Sequence, residues 1–303
     1  MAHKPLFAFF GTPYIATIVL DQLEARGMLP ALVVTAPDRP VGRGLTLTPS
    51  PVKKWALERG IDVATPEKLS DPAFIAEIQN TDWDVFVVSM YAKLIPKKVL
   101  DMPRRGCLNV HPSLLPKFRG PSPVLSAILA DEKDTGVTIM QLSEKMDEGP
   151  IIAQASIELE EETADEPGWP PKGSEFEKLL SQEGGTLLAE VLPKWVAGTI
   201  PAEEQDHTQA TYTKKFTDED ALLHQEATGG QALPVATTGE IGRENFLKIR
   251  AFDASPKPYF ISKNGKRVIV KEAKWQDGKL VITRVTPEGK KEMDYQDFLR
   301  GQQ

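Results

Sequence analysis

The stretch LFAFFGTPYIATIVLDQLEAR, residues 6–26, decides the fold class of this chain of 303 residues. Residues 6–10 are a short apolar run that ends at Gly11, which is the pattern of a buried strand. Thr12 suits a helix N-cap and Pro13 the first helical position. Apolar residues then recur at helical spacing to about residue 26. The stretch therefore predicts a strand, a tight turn and a helix in direct succession.

Strands and helices keep alternating outward from this unit. Valine-rich apolar runs predict strands at residues 31–35, 84–90, 107–110 and 136–142. Ser50 before Pro51 and Asp71 before Pro72 are typical starts of helices, and another helix is predicted over residues 176–196. This order predicts an α/β domain with a mostly parallel sheet over residues 1–198.

The last third of the chain has a different pattern. Residues 199–215 are predicted to be a linker and residues 216–303 a small β domain. Its short β-like segments are separated by the turn signals Asn264-Gly265, Asp277-Gly278 and Pro287-Glu288-Gly289. Such a series is typical of a small barrel or an open β domain.

Composition and charge limit the class of protein. There is no run of about 18 apolar residues and no signal-peptide layout after Met1, so we expect a cytoplasmic protein. Cys107 is the only cysteine, which excludes an intrachain disulfide and a cysteine metal cluster. The net charge is −7, but residues 241–303 hold 14 Lys and Arg against 8 Asp and Glu. A basic tail on an acidic body indicates a polyanionic partner, unless the lysines only solvate exposed strands.

Known nucleotide motifs are absent from the sequence. Gly11 follows the first strand alone, whereas a dinucleotide site needs the pattern GxGxxG, and the ATP-site pattern GxxxxGK[ST] occurs nowhere. Both kinds of site are therefore excluded. The segment DRPVGRGL, residues 38–45, has two arginines that suit phosphate, although a solvated surface loop would look the same.

Three polar residues are candidates for catalysis. Asn109 and His111 are two positions apart at the end of a predicted strand, so their side chains share one face. Ligands of open α/β sheets bind at that end of the strands. His111 is a candidate acid or base and Asn109 a candidate donor to an oxyanion. Asp147 is a candidate to orient His111, with Glu148 as its competitor. A structural histidine beside an ordinary turn is the alternative.

Several segments together resemble the formyltransferases that use 10-formyltetrahydrofolate, and within them the methionyl-tRNA formyltransferases. The resemblance covers nearly the whole chain in order. Its motifs are FGTP (10–13), DRPVGRG (38–44), SPVK (50–53), NVHPSLLPKFRG (109–120), TGVTIMQ (135–141), NGKR (264–267) and PEGKK (287–291). A Pro-rich stretch around Trp169 looks like an insertion of unknown role.

The resemblance implies a Rossmann-like α/β domain with a mostly parallel sheet, followed by a small C-terminal β-barrel similar to an OB-fold. It implies that Asn109, His111 and Asp147 form the catalytic set. It also implies that the folate lies against four loop residues, Ser113, Leu114, Leu115 and Pro116. Arg43 would contact the acceptor arm of the tRNA, and the basic tail, with Lys266 and Arg267, would contact its phosphates.

The implied activity is transfer of a formyl group from 10-formyltetrahydrofolate to the amino group of initiator methionyl-tRNA, in support of translation initiation. We expect a monomer that needs no metal, and a protonated His111 that stabilises the oxyanion beside Asn109. Two alternatives stay open on the sequence: a formyltransferase acting on an amino sugar-nucleotide, and a hydrolase of the formylated folate. A non-enzymatic RNA-binding module would leave Asn109, His111 and Asp147 unexplained.

Overall fold

The computed structural model describes residues 4–42, 44–160, 168–225 and 235–301. The chain divides into two compact units. The first holds residues 1–120, 134–157 and 177–212, and the second holds residues 121–133, 158–176 and 213–303. No described helix is both long enough and apolar enough to cross a membrane.

Strands alternate with helices through much of the first unit, as predicted, but residues 32–48 and 135–157 hold successive strands with no helix between them. In chain order the strands are β1 (Phe7–Phe10), β2 (Leu32–Val34), β3 (Arg39–Val41), β4 (Thr46–Thr48), β5 (Asp62–Ala64), β6 (Val85–Val88), β7 (Cys107–His111), β8 (Thr135–Gln141) and β9 (Ile151–Ile157).

The helices of the chain lie between and after these strands. They are α1 (Tyr14–Ala25), α2 (Pro51–Glu58), α3 (Pro72–Ile78), α4 (Lys97–Leu100), α5 (Pro123–Leu129), α6 (Gly173–Ala197), α7 (Gly239–Ala251) and α8 (Tyr295–Arg300), with a 3-10 turn at His207–Gln209. The N-cap predicted at Thr12 is wrong, because α1 begins at Tyr14 with an extended Pro13 at the N-cap position and no side-chain cap. The other two predicted N-caps are confirmed. The Ser50 hydroxyl accepts from the Lys53 N–H at 3.0 Å, and the Asp71 carboxylate accepts from the Ala73 N–H at 2.9 Å.

A seven-stranded sheet in the order β5-β2-β1-β6-β7-β8-β9 forms the centre of the first unit. The first five strands in this order, β5, β2, β1, β6 and β7, are parallel to one another, and β8 and β9 are antiparallel to their neighbours. The predicted mostly parallel α/β sheet is thereby confirmed. Strands β1 and β6 are buried at every residue, as a sheet covered on both faces requires.

Helices cover both faces of this sheet. Leu20 of α1, Trp55 of α2 and Leu192 of α6 pack in one apolar cluster, while Phe74 of α3 and Val99 of α4 pack in the other. Each such side chain contributes about 1.5–3 kcal/mol when it leaves water. The sheet is therefore a rigid support for the residues at its strand ends.

The register of the sheet aligns the carboxyl ends of its central strands. Phe10 pairs with Val88, and Val88 with Asn109, so β1, β6 and β7 end side by side. Gly11 is needed at this edge because a Cβ there would lie 2.9 Å from the carbonyl oxygen of Ser89. The glycine thus serves the close approach of neighbouring backbones.

The second unit contains an antiparallel sheet in the order β10-β11-β12-β13. Its strands are β10 (Tyr259–Ile261), β11 (Arg267–Gln276), β12 (Lys279–Pro287) and β13 (Met293–Asp294). The three predicted turns join these strands, and Asp277 and Gly278 both have positive φ, as a tight hairpin turn requires. The expected β domain is confirmed: the described strands form a meander, and isolated bridges beside it join Leu222 to Tyr259, Gln225 to Val235 and Thr238 to Lys279.

Helix α7 corrects the expectation of an all-β tail. Its residues Phe246 and Ile249 pack against Leu280 and Ile282 of β12, and Phe298 of α8 joins the same cluster. The turn signals nearby dominated the sequence pattern, although the spacing of Phe246 and Ile249 is helical. The sheet alone would leave one apolar face in water, and α7 covers it.

Further segments differ from expectation. Strands β3 and β4 pair as antiparallel strands where a loop was predicted, and β5, β9, α4 and α5 were not predicted. Trp169, in the supposed insertion, is an anchor of the second unit. Its indole N–H donates to Asp131 at 2.7 Å and its ring packs against Phe176.

Candidate active site

Strand β7 places Asn109 and His111 at the carboxyl edge of the sheet. Asn109 pairs with Met140 of β8, and His111 pairs with Thr138, so both side chains lie on one face as predicted. The Asn109 side chain is half-buried. Its amide makes no hydrogen bond within the described part of the chain, so both N–H groups are available to a ligand.

His111 is buried, with 4% of its surface exposed. Its Nε2 lies 3.1 Å from the carbonyl oxygen of Phe118. Because a carbonyl only accepts, we assign the ring proton of the neutral tautomer to Nε2. The other ring nitrogen, Nδ1, then carries a lone pair.

Asp147 faces that lone pair. Its Oδ1 lies 3.8 Å from Nδ1 of His111, and its Oδ2 accepts a hydrogen bond of 2.7 Å from the Gly120 N–H. Glu148 is directed elsewhere, within 3.4 Å of Lys145 and 3.9 Å of Arg119. The structure therefore brings Asp147, and not its competitor, to His111.

Two opposing influences act on the pKa of His111. Burial disfavours the imidazolium and lowers the pKa below its ordinary value, while the Asp147 carboxylate and the Phe118 carbonyl raise it. Burial is the larger influence, so the pKa is lowered. A lowered pKa favours the neutral ring near pH 7, whereas the sequence led us to expect a protonated ring. Sequence spacing gives no measure of desolvation.

The loop after β7 places its four predicted folate residues in two environments. Ser113 and Leu115 are buried: the Ser113 hydroxyl donates to the Lys117 carbonyl at 2.7 Å, and the Leu115 N–H donates to Thr138 at 3.1 Å. Leu114 and Pro116 are half-exposed. The first pair thus stabilises the loop, and the second pair presents apolar surface to any ligand.

A cavity of about 630 Å³ lies at the segment that leads to Asp147. Pockets for small ligands usually measure about 300–1,000 Å³. Its wall combines apolar and polar residues, namely Lys97, Leu100, Asp101, Pro103, Gly106, Gln141, Leu142, Ser143, Glu144 and Lys145.

Sequence reasoning missed the polar residues that hold the Asp147 turn. Gln205 donates to the carbonyl oxygens of Asp147 and Gly149 at 2.9 and 2.7 Å. Arg119 in turn donates to Gln205 at 2.7 Å. Gln205 lies in the predicted linker, among exposed polar residues, and no periodic pattern marks it. Arg119 had a signal, since it belongs to the NVHPSLLPKFRG run.

The predicted tRNA-binding residues have different fates. Arg43 lies outside the described residues. Lys266 is exposed at the β10–β11 turn. Arg267 is already engaged: it donates to Asp218 at 2.8 Å and stacks 3.7 Å from the centre of the Tyr259 ring. Lys266 is therefore the freer of the two for a phosphate. The described residues contain no group of three His, Cys, Asp or Glu side chains placed to hold a metal ion.

Comparison with known proteins identifies the family. A family model described as formyl transferase matches residues 4–168. A methionyl-tRNA formyltransferase of Bacillus licheniformis is 36% identical over 306 residues, which cover 97% of this chain and 94% of that protein. This match includes both the α/β domain and the β-rich tail.

Solved structures agree on the fold. A methionyl-tRNA formyltransferase from Clostridium thermocellum superposes with a TM-score of 0.58 at 13% identity, over 93% of this chain and 98% of that one. A sugar N-formyltransferase from Shewanella superposes with a TM-score of 0.62 at 16% identity, over 89% of this chain and 98% of that one. Both kinds of enzyme share the fold, so the near-full-length sequence match decides: the protein belongs to the methionyl-tRNA formyltransferase family.

Proposed function

We propose that this protein transfers the formyl group of 10-formyltetrahydrofolate to the amino group of initiator methionyl-tRNA. The observation that carries the proposal is the His111–Asp147 pair at 3.8 Å, with Asn109 on the same face of β7 as His111. Family membership agrees with this chemistry. The cytoplasmic location and monomeric state expected from the sequence belong to the same proposal.

In the proposed reaction, His111 moves the proton. As the substrate amine attacks the formyl carbon, Nδ1 of neutral His111 takes a proton from the amine nitrogen. The imidazolium then gives this proton to N10 of the folate as the bond between N10 and the formyl carbon breaks. His111 thus ends neutral, and the products are the formylated amine and the deformylated folate. The hydrogen bond from Nε2 to Phe118 keeps the ring oriented throughout.

Asn109 and Asp147 stabilise the charges that appear during this transfer. The Asn109 amide donates to the oxygen of the formyl group as it becomes negative, a contribution typically worth about 3–4 kcal/mol. The Asp147 carboxylate stabilises the imidazolium, since opposite charges at short range favour the charged form. Burial makes protonation of His111 unfavourable, and the attraction of Asp147 for the imidazolium offsets part of this free-energy cost.

The formyl donor fits the apolar and polar surfaces around this pair. We place its ring system in the cavity lined by Leu100, Leu142 and Ser143. Leu114 and Pro116 offer apolar contact beside His111. The residues around the pair thus suit a donor with a flat heterocycle and polar edges.

Charge supports a tRNA acceptor. Residues 241–303 are net basic while the rest of the chain is acidic. Exposed lysines attract the phosphate backbone of a nucleic acid, and such binding weakens as salt rises. An amino sugar-nucleotide has two phosphates at most and does not need this surface.

The test is label transfer from radiolabelled 10-formyltetrahydrofolate to charged initiator methionyl-tRNA. Elongator methionyl-tRNA and the His111→Ala variant serve as controls. The expected result is label on the initiator alone, with the variant slower by orders of magnitude. Formylation of an amino sugar-nucleotide instead, or formate released without an acceptor, would overturn the choice of acceptor.

A further inference from the structure

The buried side-chain amide of Gln205 hydrogen-bonds to the backbone of the turn that contains Asp147. Its Nε2 donates to the backbone carbonyls of both Asp147 and Gly149, at 2.9 and 2.7 Å. Asp147 has a φ of 54°, in the left-handed region that non-glycine residues rarely adopt. Such a conformation persists only where its surroundings enforce it. The two hydrogen bonds from Gln205 are such an enforcement.

Arg119 fixes Gln205 in turn. Its guanidinium donates to Oε1 of Gln205 from both Nε and Nη2, at 3.1 and 2.7 Å. The same group donates to Tyr212 at 3.2 Å and bonds with His207 Nδ1 at 2.8 Å. Only 1% of Arg119 is exposed. A buried cation is costly unless it is well bonded, and these contacts leave Gln205 one orientation for its amide.

The chain on either side of Arg119 contacts both members of the candidate pair. The Phe118 carbonyl accepts from His111, and the Gly120 N–H donates to Asp147. Thr211 anchors this segment, since it accepts from the N–H groups of Phe118 and Arg119 at 2.8 and 2.9 Å. Three consecutive residues therefore contact the candidate site: Phe118 bonds with His111, Arg119 with Gln205, and Gly120 with Asp147.

We propose that Gln205, held by Arg119, is a positioning residue: it fixes the Asp147 turn so that the carboxylate faces Nδ1 of His111. Neither side chain contacts the reacting atoms. Their effect on the reaction passes through Asp147 alone. The inference rests on the roles proposed above for His111 and Asp147, and it adds the source of their geometry.

The test compares Gln205→Ala and Gln205→Glu with Gln209→Ala, a matched exposed glutamine four residues on. Gln205→Glu keeps an acceptor for Arg119 but loses both N–H donors to the turn. We expect kcat to fall about 10-fold to 100-fold in both Gln205 variants, as for a group displaced by about 1 Å. The KM for methionyl-tRNA stays within about threefold of the wild-type value because the acceptor contacts are untouched. Gln209→Ala keeps wild-type kinetics.

Two further readouts separate positioning from general destabilisation. Loss of the facing carboxylate lowers the pKa of His111 further, so the step that His111 contributes to the acid limb of kcat/KM moves to lower pH in both Gln205 variants. In an Asp147→Asn background, Gln205→Ala should lower kcat by less than about a further threefold, because the effects of residues that act through one group are not additive. If Gln205→Ala does not fold, the same comparisons with Gln205→Glu decide.

Each contrary outcome has a distinct meaning. Wild-type kcat in a folded Gln205 variant, an unmoved acid limb, or losses that add to those of Asp147→Asn would overturn the positioning role. Full turnover in Asp147→Asn itself would instead overturn the proposed function of the pair.

Discussion

Replacement of Asp147 by Asn changes the charge that His111 faces while keeping the shape of the turn. The Gly120 N–H needs an acceptor, so the amide oxygen of the new side chain takes the place of Oδ2. The amide N–H₂ group then faces Nδ1 of His111 across the present gap of 3.8 Å. Such a donor occupies the lone pair that is to accept the proton, and it repels an imidazolium.

The size of the effect follows from that distance. Two unit charges 3.8 Å apart attract by about 4 kcal/mol at an effective dielectric constant of about 20. A neighbouring opposite charge usually moves a pKa by about one to three units. We therefore expect kcat to fall about 100-fold to 1,000-fold, since removal of one preorganised electrostatic partner typically costs that much.

The pH profile of activity gives the direction of the effect. In the proposed reaction His111 acts as a base, so activity falls as pH decreases through its pKa. Burial holds that pKa below the ordinary value of about 6.5. The substrate α-amino group must also be deprotonated and has an ordinary pKa of about 7.7–8.0, so His111 contributes a second, lower step to the acid limb of kcat/KM. In the wild type this lower step lies below about pH 6.5, and Asp147→Asn moves it lower still.

Single-turnover formyl transfer between pH 5 and 8 measures both quantities, with His111→Ala as the inactive reference. Circular dichroism checks that the variant is folded. A rate within about threefold of wild type, or an acid limb that moves to higher pH, would refute the assigned electrostatics.

Three further changes test other parts of the structure. In Gly149→Ala the new Cβ would lie 1.9 Å from the carbonyl oxygen of Gln141, so the turn must shift and kcat should fall at least tenfold in the transfer assay, a loss in the range of about 1 Å of misplacement. Lys266→Ala should reduce the slope of tRNA affinity against salt concentration by about one phosphate contact. Arg267→Ala should reduce it less, because Arg267 is already paired with Asp218. Equal slopes for the two variants in titrations from about 50 to 200 mM salt would contradict this. Arg243→Ala removes two hydrogen bonds to the Asp131 carboxylate, at 2.9 and 3.0 Å. It should lower the free energy of unfolding, measured in urea, by about 1–3 kcal/mol. A change below about 0.5 kcal/mol, the usual scale for surface substitutions, would show that these hydrogen bonds do not stabilise the fold.

Local sequence signals predicted the framework because they act within a few residues. Ser50 and Asp71 cap their helices through neighbouring N–H groups, and Asp277-Gly278 turns a hairpin through its own dihedral angles. Strand spacing likewise placed Asn109 and His111 on one face. Strand β9 pairs with β8, the strand directly before it in sequence, and no turn motif in the intervening residues 142–150 predicted this pairing.

The candidate site was predictable only in part for the same reason. The sequence offered Asp147 and Glu148 as competing candidates and the resemblance favoured Asp147, while the structure shows that Asp147 faces His111 and Glu148 does not. Gln205 contacts Asp147 from 58 positions away in sequence. A glutamine in a polar stretch has no feature that distinguishes a buried partner from a solvated one. Burial also set the protonation of His111, and spacing carries no such information.

In the proposed reaction, the buried His111 is neutral before transfer, which burial favours, and becomes charged during transfer, which burial opposes. The position of the Asp147 carboxylate therefore affects the rate of transfer. A carboxylate displaced from 3.8 Å to about 4.8 Å would attract the imidazolium less by about 1 kcal/mol at the same effective dielectric constant. That loss alone slows the reaction about fivefold. Misorientation of the lone pairs adds to it. The left-handed Asp147 backbone, bonded to Gln205, thus sets how readily His111 is protonated in the reaction.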